Sequence, residues 1–345
     1  MNIHLKWIVL LEAVLIALLL VILVSTLEKY NATSNQVNGT IATYNVTNRL
    51  LSPSIDAGIL KPQGFLIFNF NPLREHLIQV TNANNFDISM YVQNLRSENN
   101  FAINGDKGAY PASLNKIPIA VLILNKIEKG ELSYDTPIKI NKTLLDNDSD
   151  QIYFKNDQLT VRQLLEKMLK ESDNTAFYLL LPKVNADDLN NLMTYFNMDA
   201  EHSYTYFFGD SVEDAHNELL TPQSFSNMFL SLYYSAVLNS NDSEYILELL
   251  ANTTLDMHKI AQLPDNVTVA HKWGYSADQT PSVFDDCGIM YIDNGRILYC
   301  ITIRNQSFDY STGILGGVVN NIYLYYNGQR QSLNAFKQYL TTNTK

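Results

Sequence analysis

Ser113 and Lys116 stand three residues apart at the head of an apolar run, and two further short patterns follow them, Ser172-Asp173-Asn174 and Lys272-Trp273-Gly274. A serine hydroxyl is a poor nucleophile at neutral pH and needs a base. Three residues along a helix bring Lys116 onto the Ser113 face, about one turn away. A serine at a helix N-terminus also meets free N–H groups and a dipole that favour developing negative charge. A lysine acts as a base only when neutral. Burial and a second cation both lower its proton affinity, and Lys272 is the candidate second cation. Ser172 could pass a proton to a leaving nitrogen. Asn174 could bind a substrate amide or orient Lys116. Gly274 follows a strand-like run (Val267 to His271), where glycine lets a ligand or another backbone approach closely. The N–H of Tyr275 beyond Gly274 could join that of Ser113 as a pair of oxyanion donors, with Lys272 supplying positive charge for a substrate carboxylate. The chemistry this set could perform is nucleophilic attack by Ser113 on an amide, served by Lys116, Ser172, Asn174 and Lys272. The oxyanion would be held at Ser113, Gly274 and Tyr275, and no metal or organic cofactor is called for.

Each piece has a plainer reading when taken alone. Ser113 could cap a helix beside a solvated Lys116. Asn174 could cap a helix end. Lys272 could close an edge strand. The order of the three patterns carries the argument, because their joint occurrence by chance is far rarer than that of any one.

Positioning these groups needs a helix behind Ser113, and apolar residues recur at helical spacing from Ser113 to about Lys129, ended by Gly130. Pro118 falls near that helix start, where a missing N–H costs least. An earlier helix is expected from Pro72 to Val80. Strands are expected at Ile88 to Leu95 and Phe101 to Asn104, joined by a turn over residues 97–100. Leu159 to Leu180 reads as helical, with Thr160 as its cap and the Ser172 motif as a break into two helices. Thr221-Pro222 opens another helix through about Leu238. Strand patterns return at Val267 to Trp273, Cys287 to Ile292 and Ile297 to Ile303. One apolar stripe, Ile314 to Tyr323, then marks a late helix. Strands at both chain ends bracket a helical middle. The fold class is therefore α+β, an antiparallel sheet from the two ends flanked by helices, with an inserted all-helical lobe at about 110–265.

Composition narrows the partners. The 345-residue chain carries a formal net charge of -11, which argues against nucleic acid. Cys287 and Cys300, the only cysteines, flank a turn signal at Asp293-Asn294-Gly295. They either bridge across two strands or stay as buried thiols. Trp7 to Leu27 is almost wholly apolar and matches the roughly 20 residues of a membrane-spanning helix. Glu12 is tolerable near its start, where it reaches the interface. An uncleaved anchor is favoured over a cleaved signal, since the run is long and lacks a clear small-x-small site. Lys6 weakly favours a cytoplasmic N-terminus. The expected layout is a cytoplasmic stub at 1–6, an anchor at 7–27, a polar Asn/Thr/Ser-rich tether at 28–60 and a domain at 61–345 outside the cytoplasm. Asn-x-Ser/Thr triplets starting at Asn31, Asn38, Asn45, Asn141, Asn252 and Asn266 would suit an exported surface, although an asparagine-rich chain produces many by chance. Oligomeric state has no signature in the sequence.

The three motifs together resemble the active-site serine superfamily of class A β-lactamases and penicillin-binding proteins. The likeness extends to Tyr110-Pro111-Ala112 ahead of Ser113 and to Leu159-Thr160-Val161-Arg162-Gln163-Leu164-Leu165 ahead of Ser172. Thr221-Pro222 and Cys287-Gly288-Ile289 belong to it as well, and it covers roughly residues 65–330. It implies a β-lactamase-like fold and acylation of Ser113 with Lys116 as general base. Ser172 would relay a proton, Asn174 would hold substrate and lysine, Lys272 would assist by charge, and the N–H groups of Ser113 and Tyr275 would bind the oxyanion. The implied substrate is a β-lactam or a peptide amide. Two departures stand out. Trp273 occupies the place where the family usually has the Thr or Ser whose hydroxyl helps bind a substrate carboxylate. Between Asn174 and Thr221 no Glu-x-x-Leu-Asn pattern supplies the deacylating glutamate, and Glu201, Asp210, Glu213 and Glu218 do not fit it. An acyl-enzyme lacking a positioned water is long-lived. A non-turnover penicillin-binding sensor, or a pseudoenzyme with a structural role, is therefore the alternative to a hydrolase.

Overall fold

The computed structural model describes residues 50, 69–145, 150–198, 220–278, 281–293 and 295–343, with side chains as far as 328. The expected stub and anchor lie outside these residues, as do all of the tether but Leu50 and the four acids between Asn174 and Thr221. Among the described residues no helix is long and apolar enough to cross a membrane.

Helix α1 (Asn71–Ala83) precedes the hairpin β1 (Asp87–Asn94) and β2 (Asn100–Ile103). A 3₁₀ turn, Ala112–Asn115, then runs into α2 (Lys116–Glu128). β3 (Pro137–Lys139), α3 (Gln151–Lys155), β4 (Gln158–Thr160), α4 (Val161–Lys170), α5 (Asn174–Leu180) and α6 (Ala186–Tyr195) follow. Next come α7 (Pro222–Tyr233), α8 (Ser240–Leu250) and α9 (Met257–Ala261). Strands β5 (Thr268–Ser276), β6 (Val283–Ile292) and β7 (Gly295–Arg304) lead into α10 (Phe308–Asn343).

The main sheet runs β2-β1-β7-β6-β5 and is antiparallel throughout. The two chain ends build it, β1 and β2 from the first and β5 to β7 from the second. The helical middle stands on one face, and Ile117, Leu164 and Phe229 share a core there with Ile289 and Leu298. On the other face Leu73 and Leu77 of α1 join Leu315, Val319 and Ile322 of α10 over Met290 and Ile301. Every residue of β6 is buried, because both faces are covered.

The inserted lobe departs from the all-helical expectation, since β3 and β4 pair in a small two-stranded sheet within it. Pro137-Ile138-Lys139 is too short for a period-two signal. β4 ends on Thr160, whose capping box with Gln163 starts α4, so strand and helix share one junction. Cys287 and Cys300 face each other across β6 and β7 with Cα atoms 4.0 Å apart and form a disulfide, so of the two readings left open it is the bridge that the fold adopts.

Candidate active site

Three elements bring the motif residues together. Ser113 sits in the 3₁₀ turn, and Lys116 is the first residue of α2, 2% exposed. Ser172 lies in the break between α4 and α5. Asp173 makes that break sharp, since its carboxylate accepts the Ala176 N–H at 2.7 Å and caps α5. The same carboxylate accepts the Tyr153 hydroxyl at 2.9 Å. The cap is therefore Asp173, which frees Asn174 to turn its amide toward Lys116. Lys272 comes from β5, the edge strand, and is fully buried.

Lys116 Nζ lies 2.9 Å from Ser113 Oγ, 2.6 Å from Asn174 Oδ1, 2.5 Å from the Ser172 carbonyl oxygen and 3.3 Å from Ser172 Oγ. A carbonyl and an amide oxygen only accept hydrogen bonds. A neutral amine gives them its two N–H groups and keeps one lone pair, which the Ser113 hydroxyl can meet. Lys272 Nζ donates to Ser172 Oγ at 2.8 Å and to the Trp273 carbonyl at 2.8 Å. Ser172 Oγ thus stands between two amines.

Burial sets their proton affinities. Desolvation lowers Lys116 to about 7, against the pull of the Asp173 carboxylate. Lys272 is pushed well below its ordinary value by burial and then by Lys116, with Asp286 acting the other way. If acylation of Ser113 requires the Lys116 lone pair, its rate rises with pH through about 7. At one pH unit below that value the rate should fall to about a tenth of the plateau, since only that fraction of the amine is neutral. Stopped-flow acylation between pH 5 and 9 measures this, and a flat profile would contradict the role of base.

Two non-glycine residues at the site adopt left-handed backbone, Ala112 at φ +41° beside Ser113 and Ser172 at φ +59°. Such strain is found where surrounding structure over-determines the chain. Gly274 makes the remaining contact: a Cβ there would lie 2.5 Å from the Ser113 nitrogen and 2.8 Å from Ala112 Cβ. The backbone N–H of Ser113 is in this way pressed against the exposed edge of β5. Tyr275 follows on that edge with its ring turned away toward Phe308. Trp273 also points to the reverse face, 5.5 Å from Phe308 between ring centroids, and leaves no hydroxyl at its position.

Ser113, Lys116, Ser172, Asn174 and Lys272 therefore converge, with Gly274 against the nucleophile's backbone. Sequence reasoning did not find the Ser172 carbonyl, Tyr153 or Asp286. A backbone acceptor has no residue signature, Tyr153 lies ahead of the helical pattern that starts at Leu159, and Asp286 lies one residue ahead of the strand pattern that starts at Cys287.

Residues 72–326 match the beta-lactamase enzyme family, and the chain belongs to it. It is a β-lactamase-like serine hydrolase acting on amide bonds. β-Lactamase VEB-1 of Pseudomonas aeruginosa is 26% identical over 236 residues, 64% of this chain and 78% of that protein. The structure of TLA-1 extended-spectrum β-lactamase superposes with a TM-score of 0.65 at 18% identity, covering 75% of this chain and 99% of the other. PBP-A superposes with a TM-score of 0.62 at 18% identity, over 75% and 97% of the two chains. At that identity the likeness is one of fold.

Proposed function

We propose that this protein is a membrane-anchored enzyme, facing out of the cytoplasm, that forms an acyl-enzyme on Ser113 with a β-lactam or a D-alanyl peptide amide. The observation carrying this reading is the placement of Lys116 Nζ, 2.9 Å from Ser113 Oγ with its N–H groups committed elsewhere. Lys116 takes the serine proton, and Ser172, bridging Lys116 and Lys272, delivers a proton to the leaving nitrogen. The N–H groups of Ser113 and Tyr275 receive the oxyanion. Asn174 orients Lys116 and the substrate amide, and the Lys272 charge steadies the anionic end of the substrate.

The missing Glu-x-x-Leu-Asn pattern favours slow release of the acyl group. That supports penicillin-binding or peptidase behaviour, or a sensor acylated once, over rapid lactam turnover. One solved structure of a PBP-A mutant is described as an acyl-enzyme complex with penicillin G. Incubation with a fluorescent penicillin, with Ser113→Ala in parallel, tests the reading. Serine-dependent labelling is expected, decaying over minutes to hours. Labelling that survives Ser113→Ala, or none with any β-lactam or D-alanyl peptide, overturns it.

A further inference from the structure

On the reverse face of the sheet a second buried network lies directly behind the site. Asp286 of β6 pairs with Trp273, the residue after Lys272. Its Oδ2 accepts from His271 Nδ1 at 2.7 Å and its Oδ1 accepts from the Tyr299 hydroxyl at 2.8 Å. His271, Asp286 and Tyr299 are each at most 2% exposed. Gly288 makes room for the imidazole, since a Cβ there would lie 2.5 Å from His271 Cβ. The far nitrogen, His271 Nε2, lies 2.8 Å from Thr253 Oγ1 and 3.1 Å from the Leu255 carbonyl. The Asp286 carboxylate only accepts, so Nδ1 carries hydrogen, while Nε2 either donates to the Leu255 carbonyl or accepts from the Thr253 hydroxyl.

Two lysines meet at Ser172 Oγ, at 3.3 and 2.8 Å. Like charges so close and so deeply buried do not both persist, so the pair titrates together. We propose that Asp286, clamped by His271 and Tyr299, decides which of these lysines carries the proton: its charge draws the proton to Lys272 and leaves the Lys116 lone pair free for Ser113. Asp286 is thus a positioning residue. The carboxylate of Asp173 biases the pair the opposite way, toward a charged Lys116. His271 sets how much of the Asp286 charge Lys272 feels, because the Nδ1–H that it donates offsets part of that charge.

Other ionisable groups face this network from neighbouring elements. Lys170 of α4, Glu248 of α8, and Asp256 and His258 at α9 share a cleft of about 1000 Å³ with His271. Asp265, Asp293 and Arg296 line the same cleft. Asp173 faces Lys116 from the helical lobe, and Asp285 is the charged neighbour of Asp286 along β6.

The proposal rests on the acyl-enzyme reading above, and its test separates the two. Purified wild type, Asp286→Asn and His271→Gln are titrated without substrate by NMR of ¹³C-labelled lysine, and acylation by a fluorescent penicillin is followed against pH. Asp286→Asn should return the proton to Lys116 and move the rise in acylation to higher pH by half a unit or more, about a threefold loss at pH 6 with recovery at pH 9. His271→Gln uncovers the carboxylate and should move the rise to lower pH. A purely structural network would alter melting temperature and rate without shifting the two profiles in opposite directions. Unmoved profiles and lysine titrations in both folded variants overturn the proposal. Should Asp286→Asn fail to fold, the His271→Gln shift alone decides it. If wild type is never acylated the functional reading fails, while the lysine titrations still report on Asp286.

Discussion

Lys116→Ala will abolish detectable acylation of Ser113, lowering its rate by roughly 10²–10⁴-fold, the usual worth of a positioned base. Nothing else among the described residues stands in for it. Lys272 is the other amine, and its Nζ is held by Ser172 Oγ and the Trp273 carbonyl. The alanine would also strip the Ser172 carbonyl and Asn174 Oδ1 of the amine that they accept from. The turn carrying Ser172 at φ +59° then loses one of its restraints. A drop in melting temperature should accompany the loss of activity. Mass spectrometry of the Ser113 peptide after penicillin treatment gives the readout. Lys116→Arg separates the two effects, because guanidinium can donate to both oxygens yet cannot act as a base near neutral pH. It should recover stability and not acylation. Acylation at wild-type rate in either variant would rule out Lys116 as the base.

Gly274→Ala has the second-largest expected effect. The atoms met by the added methyl are the Ser113 nitrogen at 2.5 Å and Ala112 Cβ at 2.8 Å, both fixed by the 3₁₀ turn rather than at the end of a flexible side chain. The turn must lift away from β5 or the edge strand must bow. In both cases the N–H groups of Ser113 and Tyr275 part by a few tenths of an ångström or more. Losing one oxyanion donor costs about 10²–10³ in rate. Acylation should fall by that order while binding of an unreactive product analogue changes little. Gly313→Ala is the matched control, lying in α10 with nothing within 4 Å of the added methyl, and should leave acylation unchanged. If Gly274→Ala acylates at the wild-type rate, the strand edge does not form the oxyanion site.

The parts of this molecule that sequence revealed are those written in local periodicity. The strands at both ends read as short apolar runs because one sheet face meets the lobe and the other meets α1 and α10, and each strand was legible to within a few residues. Helix α4 was readable from its cap, Thr160 with Gln163 three residues on. Helices α3, α6, α8 and α9 escaped notice: α3 and α9 have five residues each, and α6 and α8 mix their apolar residues with asparagine, serine or aspartate. The strands β3 and β4 escaped because three residues make no pattern.

The residue types at the site were determined by the chain itself: an alcohol, two amines, a second alcohol, an amide, and a glycine where backbones must touch. Short motifs carry that information because each type has one chemical capability wherever it is placed. Which atom serves which partner was settled only by tertiary structure. Asp173 rather than Asn174 caps α5. The Ser172 carbonyl rather than its hydroxyl lies nearest Lys116. Asp286 lies on the reverse face of the sheet, paired with the residue after Lys272. These outcomes depend on burial and on distances between residues up to 173 positions apart, from Ser113 to Asp286 in β6. Electrostatic and hydrogen-bond energies vary steeply with both, and neither is encoded in spacing along the chain.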